Sequence, residues 1–229
     1  MHFPRSAPPT PPAHTPGAAA ARTGALLAAL SAVLLTLVAV SWAPLVSFDR
    51  TVADGLHGWA VTEPGLTRVN RVLTDWVWDP WTIRALIAAA VLWLWWLRER
   101  LLAVWVAVTS AVGTFVQQGL KSAVGRERPH WPDPVDSAHY AAFPSGHAMT
   151  ATVSCILLLW LLRRHEAEGR PWHWGIAAAA VVSVVGVGLT RLYLGVHWPS
   201  DVVGGWLLGA CWAALSIAAY ERWVLSRQR

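Results

Sequence analysis

The chain has 229 residues, 55% of them hydrophobic and only 14% charged, which is enough for one domain and too apolar for an ordinary soluble protein. Its formal net charge is +5, but the arginines are split among short segments between apolar runs. They form no basic stripe with interleaved aromatics, so the pattern argues against a nucleic-acid partner and for positive-inside topology in a membrane bilayer.

Residues 1–22 carry Pro4, Pro8, Pro9, Pro11, Pro12 and Pro16 among Ala, Thr and Ser. Such a composition buries too little apolar area to offset its ordering entropy, which predicts a disordered cytoplasmic tail. The run from Gly24 to Val46 exceeds a signal-peptide core and follows a long proline-rich stretch, so it reads as a retained anchor. From Ser47 to Pro80 the chain turns polar, with Asp49, Arg50, Asp54, Glu63, Arg68, Arg71 and Asp75 around Leu66, Val69 and Leu73. The helical spacing of those three apolar positions predicts a short interfacial helix entered through Thr62 and Pro64.

Further apolar runs follow at Trp81–Leu97, Leu101–Leu120, Ala148–Leu162, Trp174–Leu189 and Val202–Ala219, close to the length of about 20 residues that a bilayer requires. The predicted fold is all-α: a polytopic membrane protein with six transmembrane helices and short interfacial helices in the first outer loop. The membrane domain spans residues 23–222, and a basic cytoplasmic tail occupies 223–229. Many of the 17 Trp residues lie near segment ends, as headgroup-level anchors do, whereas Trp93, Trp95 and Trp96 read as deeper packing residues. Cys155 and Cys211 fall inside apolar segments, where a free thiol behaves as a small hydrophobe and no disulfide framework is implied.

The tight turn Arg98-Glu99-Arg100 and the segment from Arg163, Arg164 and His165 to Arg170 both read as cytoplasmic. If the N-terminal tail is also inside, Arg5, Arg22, Arg222, Arg227 and Arg229 join them on one side of the cell membrane, and an even number of spans returns the C-terminus there. The loops from Lys121 to Ser145 and from Thr190 to Asp201 then face outward. Lys121, Arg128 and Arg191 lie on that outer side against the positive-inside bias, and a shared anionic ligand accounts for them.

Three segments flank these loops: Lys121 through Arg128-Pro129, then Phe143-Pro144-Ser145-Gly146-His147, then Thr190-Arg191 followed by His197 and Asp201. Helices three to six should bring them together at one membrane surface. The three cations match the charge and equatorial oxygens of a phosphoryl group. Ser145 and Gly146 open a helix whose free N–H groups and dipole favour an anion. No Gly-rich loop ending in Gly-Lys-Ser/Thr is present, so a nucleoside-triphosphatase reading has no support. His197 and His147 can divide covalent attack and proton donation between them, and Asp201, four residues after His197, can reach back to hold its ring N–H. No carboxylate cluster for Mg²⁺ and no His-Glu-x-x-His helix accompany them, so the site reads as metal-free, with no cofactor.

These segments resemble the signature of the type 2 phosphatidic acid phosphatase superfamily, which groups bacterial membrane lipid phosphatases with vanadium haloperoxidases. That signature is a Lys, six residues, then Arg-Pro; a Pro-Ser-Gly-His; and Ser-Arg, five residues, His, three residues, Asp. The first two parts match in full, and the third has Thr190 in place of Ser, a departure that keeps the hydroxyl and is expected to change little. The resemblance implies that His197 attacks phosphorus to form a phosphohistidine, Asp201 orients it and His147 protonates the departing alkoxide. Lys121, Arg128, Ser145, Gly146 and Arg191 would then stabilise the transferring phosphoryl group of a lipid phosphate.

Taken singly, Asp201 could complement a helix dipole, Ser145 could be an N-cap and Arg191 an interfacial anchor. Arg126, Glu127, His130 and His57 fit no motif position and read as residues of solvated outer loops. Competing functions are phosphotransfer to another acceptor through the same intermediate, or a non-catalytic protein that binds lipid headgroups. Polyprenyl diphosphate, phosphatidylglycerol phosphate and phosphatidic acid would all present the same group to the cradle, and the sequence discriminates neither among them nor between oligomeric states.

Overall fold

In the computed structural model, which describes residues 16–165 and 172–227, every regular element is helical. The proline-rich stretch up to residue 15, Arg170 and Arg229 lie outside the described residues. In chain order the helices are α1 (Pro16–Ala39), α2 (Ala43–Thr62), α3 (Pro64–Val72), α4 (Pro80–Trp96), α5 (Arg100–Val124), α6 (Gly146–His165), α7 (Trp172–Tyr193) and α8 (Pro199–Arg227). A π-helical turn over Leu73–Val77 continues α3 toward α4.

Among the described residues six segments are long and apolar enough to cross a bilayer: α1, the run Pro64–Trp96, α5, α6, α7 and α8. Only 17–44% of their most apolar windows is buried inside the protein. Leu26, Phe115 and Val181 are among many large apolar side chains that face outward. A water-soluble protein does not leave so much contiguous apolar surface bare, whereas hydrocarbon covers it without penalty.

The boundaries follow from local chemistry. The Asp79 carboxylate accepts from the Trp81 and Thr82 amides at 2.7 and 3.4 Å, and Pro80 fills the first helical position of α4. Gly125, at φ 59°, ends α5 with its N–H donating to the Lys121 carbonyl. The first helix differs from expectation at both ends. It starts at Pro16, so residues 16–22 are helical, and it stops at Ala39, where Ser41 at φ 51° turns the chain and Pro44 restarts it as α2. Pro64 opens α3 as expected, but the preceding polar stretch is itself a 20-residue helix. At the other end, α8 continues to Arg227. Trp95 and Trp96 lie in the last turn of α4 and are exposed, Trp96 by 77%, which is a headgroup-level position rather than a packing one.

Helix α8 organises the bundle, packing along α1 and α6. It runs antiparallel to α1, with Gly17 beside Glu221 and Gly24 beside Leu215, so both described chain ends lie at one end of the bundle. The same end holds the His165 Nδ1, 3.6 Å from the Glu99 carboxylate, and the Trp160 indole N–H donating to Glu221 at 3.2 Å. A core of Leu94, Leu102, Val106 and Leu157 joins α4, α5 and α6. The ends of α5 and α7 and the starts of α6 and α8 meet at the opposite end.

That junction depends on close approach of α6 and α8. A Cβ on Gly205 would lie 2.7 Å from the Ser145 carbonyl oxygen, 2.9 Å from the Ala148 Cβ and 3.1 Å from the Met149 nitrogen. Two of these are backbone atoms and cannot step aside. Gly205→Val is therefore expected to destabilise the protein by about 1–3 kcal/mol or more, the usual cost of overpacking. Thermal unfolding in detergent would read this as a lower midpoint, and an unchanged midpoint would contradict the packing described.

Candidate active site

Past Tyr193 the chain turns through Gly195, at φ 68°, whose carbonyl accepts the Trp131 indole N–H at 2.8 Å. The turn delivers His197 into the protein, where it is 2% exposed. Its Nδ1 lies 3.3 Å from the Asp201 Oδ2 and its Nε2 lies 3.2 Å from the Arg128 Nη1. A guanidinium only donates, so these partners assign the proton to Nδ1 and leave the Nε2 lone pair facing Arg128. The Asp201 Oδ2 also accepts the Trp198 N–H at 2.9 Å, as a side chain at a helix start does.

The cations gather around that lone pair. Arg128 donates to the carbonyls of Tyr140 at 2.9 Å, Val196 at 2.5 Å and His139 at 3.1 Å. Lys121 donates to the carbonyls of Ala141 and Ala142. Arg191, 4% exposed, has its Nη1 3.3 Å from the Thr74 hydroxyl and 3.5 Å from the Asp136 carboxylate, while its buried Nε has no protein partner. Ser145 donates its N–H to the Asp201 carbonyl at 2.9 Å, and its fully buried hydroxyl is likewise unpartnered. Gly146 starts α6 against the Gln117 amide, where a Cβ would lie 2.8 Å from Nε2. The half-buried His147 follows, and Arg191, Arg128 and Lys121 all act on it electrostatically. All eight residues singled out from the sequence thus converge at one end of the bundle.

Burial, and then the positive charges of Arg128, Arg191, Lys121 and Arg126, hold the His197 imidazole well below its ordinary pKa of 6.5. Burial and the neighbouring Arg191 bring Arg128 down to about 10, which still leaves it protonated at neutral pH. At about pH 6 the His197 ring is expected to stay neutral, where an exposed histidine is mostly protonated. Imidazole ¹⁵N resonances, assigned with a His197→Gln variant, would show one unprotonated nitrogen, and a doubly protonated ring would contradict this electrostatics. Because the unfolded chain takes up a proton below 6.5 that the folded ring refuses, this group subtracts from stability as pH falls through 6.5 and not above it.

Two residues expected in solvated loops are not there. The Arg126 guanidinium donates to the Asp201 Oδ1 at 2.7 Å and to the Asp49 Oδ2 at 2.6 Å. His57 is largely buried and stacks on Trp131, with centroids 4.0 Å apart and planes at 12°. Glu127 and His130 are exposed, as expected. The signals were present in the sequence. In an extended stretch residues two apart share a side, so Arg126 follows Arg128 inward while Glu127 faces away. Asp49, Ala53, His57 and Ala60, all buried, form one helical face of α2. The Thr190 hydroxyl turns back to its own helix, donating to the Val187 carbonyl at 2.8 Å. Among the described residues no group of three or more His, Cys, Asp and Glu side chains is arranged to hold a metal ion.

Residues 101–225 match the PAP2 superfamily. Among curated proteins, the chain is similar to an undecaprenyl-diphosphatase of Sulfolobus acidocaldarius, with 38% identity over 38% of this chain and 35% of that protein. It is also similar to phosphatidylglycerophosphatase B of Bacillus subtilis, with 36% identity over 39% of this chain and 44% of that protein. The chain therefore spans less than half the length of either relative in these alignments. Among solved structures, the crystal structure of a transmembrane PAP2-type phosphatidylglycerolphosphate phosphatase from Bacillus subtilis superposes with a TM-score of 0.77. That match has 23% identity and covers 87% of this chain and 96% of that one, so it establishes a shared fold.

Proposed function

The chain belongs to the PAP2 superfamily, and we propose that it is a membrane phosphatase that removes phosphate from a lipid phosphate or diphosphate through a phosphohistidine on His197. The observation that carries this reading is the pairing at one ring: Nδ1 faces Asp201 while Nε2, unprotonated, points among Arg128 and the neighbouring cations. The Nε2 lone pair attacks phosphorus, and the bond from phosphorus to the leaving oxygen breaks as His147, protonated once the anionic substrate offsets the surrounding cations, supplies that oxygen with a proton. Asp201 keeps the Nδ1 proton and balances the positive charge that develops on the ring. Water then attacks phosphorus, the P–N bond breaks and His197 returns to its neutral form, with His147 taking the proton of the incoming water.

Charge growing on the equatorial oxygens meets Lys121, Arg128, Arg191, the Ser145 hydroxyl and the first amides of α6. These groups are fixed before the substrate arrives, so little reorganisation accompanies reaction. The chain's own cations thus fill the electrostatic role that a metal ion plays in other phosphoryl transfers. A site at the mouth of apolar helices suits a substrate whose tail stays in the bilayer and whose headgroup enters laterally. Arginine placement supports termini in the cytoplasm and a site on the extracytoplasmic face of the cell membrane. The names of the two relatives bring polyprenyl diphosphate and phosphatidylglycerol phosphate forward as substrates.

The test is phosphate release by detergent-purified protein in chelator, offered a polyprenyl diphosphate, phosphatidylglycerol phosphate and phosphatidic acid, with His197→Ala as control. Release that vanishes in the variant supports the reading, and its preferred lipid assigns the substrate. Equal release by both proteins would overturn it.

A further inference from the structure

Behind the nucleophile lies a second set of charged groups that the phosphatase chemistry leaves unused. Asp201 divides its carboxylate: Oδ2 faces the His197 Nδ1 and accepts the Trp198 amide, and Oδ1 accepts the Arg126 Nη1 at 2.7 Å. The other nitrogen of the fork, Nη2, donates to the Asp49 Oδ2 at 2.6 Å. Asp49 belongs to α2, Arg126 to the stretch after α5 and Asp201 to α8, so three elements distant in sequence meet in one chain of contacts. Asp49 also grips α8 itself, its Oδ1 accepting the Ser200 N–H at 2.9 Å and its Oδ2 the Ser200 hydroxyl at 2.5 Å. The Asp49 and Asp201 side chains are 1% and 0% exposed, and that of Arg126 is 15% exposed.

We propose that Arg126 and Asp49 are positioning residues for phosphoryl transfer: Arg126 fixes the Asp201 carboxylate in the plane that holds the His197 Nδ1–H, and Asp49 fixes Arg126. This rests on the phosphatase reading of the site. The physical need for it is clear from the surroundings. A buried carboxylate beside several cations turns toward whichever cation offers the best geometry, and Lys121 and Arg128 of the phosphate cradle both act on Asp201 electrostatically. Were Asp201 to turn to them, the cradle would lose charge and His197 would lose its orienting partner together. The Arg126 guanidinium on the far side, with one nitrogen donating to the Asp201 Oδ1 and the Ser200 hydroxyl and the other to Asp49, holds Oδ1 away from the cradle and leaves Oδ2 for the imidazole. Lysine, a point donor on a flexible stem, cannot reproduce the fixed plane in which this fork spans the two carboxylates. Two carboxylates against one guanidinium leave the buried cluster one negative charge, which complements the positive charge that develops on the imidazole during attack.

Two readouts test this on the full-length protein in detergent. The first needs no substrate: the His197 Nδ1–H, hydrogen-bonded to Asp201, is expected as a downfield, exchange-protected proton resonance absent from Asp201→Asn. It should weaken or vanish in Arg126→Ala and Arg126→Lys and shift in Asp49→Asn. The second is turnover, where Arg126→Ala should lower kcat by about 10²-fold with KM within about threefold, the size of effect that a small misplacement of a reacting group produces. A cavity of about 900 Å³ lined by Asp49, Arg126 and Trp198 opens beside the network, so millimolar guanidinium should restore activity to Arg126→Ala and leave His197→Ala inactive. If Arg126→Ala fails to fold, Arg126→Lys and Asp49→Asn carry the same comparison. An unaltered Nδ1–H resonance in folded Arg126 variants overturns the proposal even if the wild-type protein is an active phosphatase. Loss of that resonance upholds it even if the lipids tried are not hydrolysed, an outcome that counts against the phosphatase reading alone.

Discussion

Replacing His197 with alanine is expected to lower kcat for phosphate release by on the order of 10⁴-fold or more, because removing a covalent nucleophile abolishes the route and leaves only the cradle's contribution. The expectation is specific to the ring as observed: Nδ1 toward Asp201, Nε2 toward Arg128, and no titration near neutral pH to compete with attack. A structural role for the same residue predicts something different. The imidazole is 2% exposed, so truncation alone opens a small cavity and lowers stability, and His197→Gln, which fills most of the space, would recover both stability and activity. The nucleophile reading expects His197→Gln to recover stability only. Rapid quench of wild-type protein with a ³²P-labelled lipid should also trap acid-labile, base-stable label on the chain, absent from both variants. Label in either variant, or full turnover by His197→Gln, would reject the assignment.

The parts of this arrangement that were legible in the sequence are those where one residue type has one physical use. Runs of apolar residues with no soluble core to fill gave the spanning helices, and Pro64 marked a helix start because a proline fits there and not one turn later. Lys121, Arg128 and Arg191 stand out because they oppose the topological charge bias. What sequence order hid was the role of α2. Asp49 stands about 150 residues from Ser200, and no local pattern says that a polar helix near the first span will fold back against the start of the last one. The same holds for Thr74 against Arg191, 117 residues apart. Periodicity was enough to mark Asp49 and His57 as inward-facing once α2 was read as a full helix. An expected helix confined to the surroundings of Leu66, Val69 and Leu73, entered through Thr62 and Pro64, leaves that face of α2 concealed. The end of α1 was misplaced for a related reason: Val40 through Val46 is apolar enough to continue a span, and the break lies in backbone conformation at Ser41 rather than in hydropathy.

Arg191→Met is expected to lower kcat/KM by about 10²–10³-fold, the scale seen when one preorganised donor to a developing oxyanion is removed, while leaving thermal stability unchanged or higher. The two halves of that expectation have one cause. Arg191 is 4% exposed, has an unpartnered Nε and meets only a hydroxyl at 3.3 Å and a half-buried carboxylate at 3.5 Å. It also repels Lys121 and Arg128, while Asp136 and Asp75 favour its charge without offsetting its burial, so in the free protein it is a desolvated charge beside like charges, a burden on the fold that a substrate phosphate relieves. Removing it takes away repulsion from the resting state and attraction from the transition state. A residue whose purpose was to hold α7 against the π-helical turn would behave in the opposite way, with stability falling and activity following in proportion. Arg191→Lys sharpens the comparison: it keeps the charge but offers a point donor where a planar fork stood. Its activity should lie between wild type and Arg191→Met, and its stability should not exceed that of Arg191→Met, because the like-charge repulsion persists. Measuring kcat/KM and the unfolding midpoint together for the three proteins separates the cases, since only a phosphate-binding cation makes the less active variant the more stable one.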